Sequence, residues 1–113
     1  MSVNRRRGEV AATLDGRSFR LCLTLGALAE LEDAFAADDL GELVGRFSHG
    51  KLSALDMIRI IGAGLRGGGH TVSDDDVRGM QAENGATGFA AIVAELLTAT
   101  FGSAETGSST QNP

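Results

Sequence analysis

The dipeptide Asp15-Gly16 lies between two alternating runs, Glu9–Leu14 and Arg17–Leu23, and predicts a β-hairpin. Both residues tolerate the positive φ angles of a type I′ turn, which commonly connects two antiparallel strands. If Leu14 pairs with Arg17, one face of the hairpin carries only apolar side chains: Val10, Ala12, Leu14, Phe19 and Leu21. A two-stranded ribbon is marginally stable in water, so the sequence predicts that helices cover this face.

Residues 24–102 carry apolar side chains at helical spacing, divided by capping residues and glycines. Four predicted helices each follow a side chain that can accept a hydrogen bond from the helix N-terminus: Thr24, Asp38 or Asp39, Ser53, and Ser73. Two of these pair with an acid three residues later, Asp56 and Asp76, in the pattern of a capping box. A fifth helix is predicted from its apolar stripe, which consists of Phe89, Ile92, Val93, Leu96 and Leu97.

These elements predict an α+β fold that is mostly helical, with one N-terminal β-hairpin packed on four or five short helices. A length of 113 residues allows one compact domain. We expect a basic N-terminal arm over residues 1–8, which includes Arg5-Arg6-Arg7, and a single domain over residues 9–102. Residues 103–113 are small or polar, so we expect a disordered C-terminal tail.

The predicted third helix, residues 53–66, is apolar around more of its circumference than a surface helix needs. Its charged residues occupy a sector of about 80°, whereas its apolar residues and glycines cover about 220°. One interpretation is a central helix between the hairpin and the last helix. The other is that one flank, formed by Met57, Ile60 and Gly64, is a docking groove for a partner. These three are the candidate partner-binding residues.

The charge balance argues against a nucleic-acid-binding protein. Ten Lys and Arg oppose fifteen Asp and Glu, which gives a net charge of −5, whereas phosphate binding requires a positive face. A single cysteine, Cys22, excludes an intrachain disulfide, and the sequence shows no signal peptide or long apolar span. We therefore expect a cytoplasmic protein that contacts neither a membrane nor nucleic acid.

No pattern of residues indicates catalysis, a cofactor or a metal site. The glycines Gly62, Gly64 and Gly67 have the spacing of a dinucleotide-binding fingerprint. However, the capping box upstream favours a helix through them, and Gly67-Gly68-Gly69 interrupts the chain where the pyrophosphate-binding helix should run. Asp74-Asp75-Asp76 fits the first turn of a helix, because the helix dipole favours acids there, and lacks the later ligands of a calcium loop.

Cys22, His49 and His70 are isolated in the sequence. They lack the short spacings of zinc ligands, and no basic neighbour in the sequence activates the cysteine as a nucleophile. The sequence therefore predicts a protein that is not an enzyme and that has no catalytic, cofactor-binding or metal-binding residues.

Three stretches, Leu23–Glu32, Gly64–His70 and Ala99–Gly102, carry a resemblance to a known family. Together they make the chain similar, from about Arg5 to Gly102, to the small tail-module proteins of gene transfer agents. That family occurs in the tail modules of these prophage-like elements in alphaproteobacteria. It is related to phage tail assembly chaperones and is sometimes labelled as tail tube protein. The predicted domain of residues 9–102 is therefore tail assembly chaperone-like.

The resemblance implies a non-enzymatic tail assembly chaperone that shields the tape measure protein, with other tail proteins as further partners. A structural component of the tail tube is the alternative, although a tube subunit needs a more extensive sheet than one hairpin. A DNA-binding regulator is disfavoured because no predicted helix has more than two cations. Homo-oligomerisation stays open, since an apolar groove in water favours self-association.

Overall fold

The computed structural model describes residues 3–4, 7–49 and 51–102. The strands are β1 (Glu9–Leu14) and β2 (Arg17–Cys22). The helices are α1 (Leu25–Ala34), α2 (Leu40–Ser48), α3 (Ala54–Gly67), α4 (Asp74–Arg78) and α5 (Gly85–Phe101). The predicted fold class, a hairpin packed on short helices, is confirmed. Arg5, Arg6 and the predicted disordered tail lie outside the described residues.

The hairpin has the predicted register, with Leu14 opposite Arg17, and Ala12 opposite Phe19. Asp15 and Gly16 have φ angles of 54° and 74°, as a type I′ turn requires. The predicted apolar face is buried, and no side chain on it is more than 7% exposed. The local turn chemistry and the period-two pattern therefore both determine this part of the fold.

The caps begin the helices where the sequence predicts. Thr24 Oγ1 accepts a hydrogen bond from the Ala27 amide at 3.1 Å, and Asp39 caps α2. The capping boxes of Ser53 with Asp56, and of Ser73 with Asp76, are both present. Each cap satisfies amides that have no partner within the helix, which sets the first residue of the helix.

The linker between α4 and α5 lies along the edge of β1. The Asp15 amide donates to the Gln81 carbonyl, and the Gln81 amide donates to the Asp15 carboxylate, both at 2.8 Å. Ala82 forms a β-bridge with Leu14. These contacts connect the turn of the hairpin to the start of α5 and cover part of a strand edge.

α3 is the central helix and contacts β2, α1, α4 and α5. Gly64 shows how closely it is enclosed, because a Cβ there would come within 2.7 Å of Leu96 on α5 and 3.3 Å of Leu21 on β2. The interpretation of a helix between the hairpin and the last helix is therefore confirmed.

The last turn of α3 contacts the backbone of β2. A Cβ on Gly67 would collide with the carbonyl oxygen of Cys22, and a Cβ on Gly68 with that of Arg20. Of the three glycines with nucleotide-binding spacing, Gly67 is thus a position where the end of a helix approaches a strand, and only a hydrogen atom fits there. Gly62 lies instead against the Asp74 side chain, and Gly64 lies against Leu96 and Leu21.

Candidate partner-binding site

The three residues predicted to bind a partner lie on the flank of α3 that faces β2 and α5. Ile60 is 0% exposed, Gly64 is buried and Met57 is partly buried. The other flank is equally enclosed, with Ile61 at 1% and Leu65 at 0% exposure. In the monomer only Met57 of the three offers surface to a partner, and partner binding at this flank stays a prediction.

Met57 also lies between two open apolar pockets. One, the α4-side pocket, has a volume of about 210 Å³ and is lined by Ala54, Met57, Ile58, Ile61, Val77, Arg78, Met80, Ala86 and Phe89. The other, the α2-side pocket, has a volume of about 390 Å³ and is lined by Phe47, Leu52, Met57, Ala90, Val93, Ala94, Leu97 and Thr98. Because they share Met57 and follow one another along α5, we call the two pockets together the α3–α5 groove.

The wall that α5 contributes to the groove carries no charged side chain. Its lining residues recur at helical spacing along one stripe: Ala86, Phe89, Ala90, Val93, Ala94, Leu97 and Thr98. Four of them, Ala86, Ala90, Ala94 and Thr98, are exposed to solvent. Among all seventeen residues of α5 the sole charged side chain is Glu95, which lies beside β1 in a different pocket. A surface helix usually has charges on its exposed face, so this uncharged wall is typical of a face that a partner covers.

Comparison with known proteins identifies the family. Residues 7–103 match the model of the family described as phage tail tube protein, GTA-gp10. The chain belongs to the GTA-gp10 family. The predicted resemblance to a tail-module family of gene transfer agents is therefore confirmed. No curated protein and no solved structure matches the chain.

Membership of the GTA-gp10 family makes this a phage-tail-related protein, and other tail proteins are its expected class of partner. The description is that of a structural tail protein and not of an enzyme. None of the helices in the described part of the chain has the length and hydrophobicity that a membrane crossing requires.

The potentially reactive side chains of this GTA-gp10 family protein, Cys22, His49 and His70, each have different surroundings. Burial raises the pKa of the Cys22 thiol, as does the charge of Glu9; the Sγ atom donates to the Arg7 carbonyl at 3.6 Å. His70 packs edge-on against Phe19, with ring centroids 5.1 Å apart. His49 is the exposed C-cap of α2. Within residues 3–4, 7–49 and 51–102, no cluster of three or more His, Cys, Asp or Glu could hold a metal ion.

Arg66 fixes α4, which forms one wall of the α3–α5 groove. Its Nε and Nη2 atoms donate to Glu30 of α1 at 3.1 and 2.7 Å. Its Nη1 atom donates to the Val72 carbonyl and to the Asp74 carboxylate, both at 3.1 Å. The hydrogen bond with Glu30 raises the pKa of Arg66 further above its usual range. One guanidinium thus connects α1, α3 and the start of α4.

We expect Arg66→Met to lower the free energy of unfolding by about 1 kcal/mol and to speed amide exchange in α4. The effect is modest because the partner carboxylates are 48% and 40% exposed, so solvent screens them. Arg78→Met is the matched control, since Arg78 pairs with the 90% exposed Asp75 one turn away. Urea unfolding and hydrogen exchange measure both effects. Equal changes in the two variants would remove Arg66 from its role in positioning α4.

Most of the groove was not predictable from the sequence. Met57, Phe89, Val93 and Leu97 are recognisable there as apolar positions, but no sequence pattern brings them together with Phe47, Leu52 or Met80. A signal was present in α5, whose exposed positions other than Glu95 are Gly, Ala and Thr, where charged residues are usual. An uncharged exposed face, considered together with the apolar stripe, indicates a helix that is covered on more than one side.

Proposed function

We propose that this protein is a non-enzymatic tail assembly chaperone of a gene transfer agent, which binds apolar helices of the tape measure protein until the tail forms around them. The observation that supports the proposal is the α3–α5 groove. It is apolar, open and bounded by an uncharged face of α5, as helix-in-groove recognition requires. Such a protein acts in the cytoplasm of the producing cell, before the particle is complete.

The tail tube role is the second candidate, and the description of the family favours it. Against it stands the sheet, which has two strands in the described residues. A subunit that builds a ring through sheets needs a larger sheet surface than one hairpin offers. Mass spectrometry of purified particles separates the two roles, because a tube protein is present in many copies and a chaperone is absent.

We expect Ala90→Arg to reduce co-purification of the tape measure protein at least tenfold. Ala90 is exposed and lines the α2-side pocket, so a docked helix would bury the new charge without a partner, at a cost of several kcal/mol. Because the position is exposed and Arg is a good helix former, the free protein keeps its fold. The measurement is affinity capture from cells that co-express both proteins.

Ala91→Arg is the matched control. Ala91 is also exposed, but it lies about 100° around α5 and beside β1. Capture that is normal with Ala91→Arg and lost with Ala90→Arg supports docking in the groove. Equal capture by both variants contradicts docking in the groove. Absence of the tape measure protein from captures with the unmodified chain, together with many copies of this chain in the particle, would establish the tube role instead.

A further inference from the structure

We infer that the α3–α5 groove selects a partner helix by two large apolar side chains about two turns apart, at positions i and i+7, with cationic residues on the flanks of that helix. This inference rests on the proposed function, because it specifies the kind of helix that the groove takes. It concerns recognition by shape and charge, which can be measured without any tail protein.

The spacing follows from the positions of the pockets along α5. Ala86 and Phe89 line the α4-side pocket, whereas the α5 residues that line the α2-side pocket are centred near Ala94. The two centres are about seven residues apart, which is about 10 Å along the helix axis. A helix that lies along α5 presents positions i and i+7 on one face at the same separation. One side chain therefore enters each pocket.

The pocket volumes require large anchors. A dry cavity of roughly 150 Å³ already accommodates a benzene ring, and the two pockets measure about 210 and 390 Å³. Alanine or valine would leave them largely unfilled, whereas leucine, methionine or phenylalanine would fill them. Met57 lies between the pockets, and its flexible side chain can adjust to a smaller residue at i+3 or i+4 of the partner.

The described helices and residues 103–113 supply no such pair of anchors. Residues 103–113 contain no Leu, Ile, Val, Met or Phe. The large apolar side chains exposed in the described residues are Leu25, Leu40, Val44 and Leu55. Two of these share a helix, Leu40 and Val44, but they are one turn apart and not two. No single helix among the described residues of a second copy thus has anchors for both pockets, and we infer that the occupant is a different chain.

The net charge of the helical part of the chain indicates the charge that the flanks of the partner helix should carry. Residues 24–102, which include all five helices, hold twelve Asp and Glu and five Lys and Arg. Arg78 is the one charged residue in the lining of the two pockets, and it already pairs with Asp75. An acidic body attracts a basic helix and repels an acidic one, which affects the rate of association most strongly at low salt.

The test measures binding of three fluorescent 20-residue helical peptides, built from Ala and Lys, to the 113-residue chain. The first carries Leu at i and i+7, and the second has the same composition with Leu at i and i+4. The third keeps Leu at i and i+7 but replaces each Lys by Glu. We expect fluorescence anisotropy to give at least tenfold tighter binding of the first peptide than of either of the others.

The protein variants locate the binding. Ala90→Arg is expected to weaken the binding of the first peptide at least tenfold. Ala91→Arg is expected to leave that binding unchanged. Equal binding of the first and second peptides, or no binding of any, overturns the spacing. Equal binding of the Lys and Glu peptides overturns the charge requirement. A native protein that sediments as a dimer, and becomes a monomer on Ala90→Arg, identifies a second copy as the occupant and overturns the inference.

The peptide result and the result of tape measure capture are independent. If the protein captures the tape measure protein but does not prefer the i and i+7 peptide, the chaperone role stands and this recognition rule is rejected. If the protein prefers that peptide but does not capture the tape measure protein, the recognition rule stands and the tape measure protein is rejected as the partner.

Discussion

Replacing Gly68 with alanine is expected to lower the free energy of unfolding by about 3 kcal/mol or more. Gly68 has φ and ψ angles of −81° and 0°, which alanine adopts without strain. The cost is purely steric, because the added Cβ collides with the carbonyl oxygen of Arg20 in β2. A backbone atom cannot move aside as a side chain can, so α3 and the hairpin would have to separate.

Gly45→Ala is the matched control for Gly68→Ala. Gly45 lies within α2, and a Cβ there meets no atom within 4 Å. Alanine is the better helix former by about 1 kcal/mol, so this variant is expected to be slightly more stable than the native protein. Urea unfolding curves give both values. If Gly68→Ala is as stable as the native protein, the close approach of the end of α3 to β2 is not required for the stability of the fold.

The parts of the fold that local chemistry determines were predictable from the sequence. Asp15-Gly16 tolerates the φ angles of its turn, and Thr24, Ser53 and Ser73 satisfy amides within three residues of themselves. Such features need no knowledge of the rest of the chain. For this reason the register of the hairpin and the starts of the capped helices agree with their predicted positions.

The features that depend on distant contacts were not predictable. In the sequence, Gly67 and Gly68 indicate where a helix ends. In the fold, a side chain at either position is excluded by the backbone of β2, which lies more than forty residues earlier in the chain. The groove is similar, since Phe47, Met57 and Leu97 come from three elements that the sequence separates. Apolar periodicity tells which residues are covered but not which element covers them, so it cannot distinguish a core flank from a binding surface.

That ambiguity was present in α3, where Met57, Ile60 and Gly64 were predicted together as a partner-binding flank. The three positions differ in the fold. Gly64 allows the side chains of Leu96 and Leu21 to pack closely against α3, and Ile60 is fully buried. Met57 is partly buried and lines the groove. One helix thus supplies the core of the domain and the floor of the proposed binding site. Changes at Ile60 and at the exposed α5 position Ala90 should therefore separate folding from partner binding.

Replacing Ile60 with aspartate is expected to lower the free energy of unfolding by about 3–5 kcal/mol. Ile60 is 0% exposed and belongs to the main apolar cluster, so the new carboxylate would be buried without a cation or a hydrogen-bond donor suited to it. A domain of this size has a stability of roughly 5–15 kcal/mol, and a loss of that size removes much of it. Loss of tape measure binding in this variant would then follow from unfolding.

Leu55→Asp is the control on the same helix. Leu55 is 39% exposed and lies in the first turn of α3, where the helix dipole favours an acid. The free energy of unfolding of Leu55→Asp should therefore differ from that of the native protein by less than about 1 kcal/mol.

The loss of stability caused by Ile60→Asp should also depend on pH. Burial raises the carboxyl pKa of the folded variant above its unfolded value of about 3.9, so the stability difference from the native protein grows as the pH rises from about 4 to 7. Thermal melting of both variants at those two pH values measures this. A folded Ile60→Asp variant that melts near the native temperature at pH 7 would show that the flank is open, and Ile60 would then be a surface residue of α3 available to the tape measure protein.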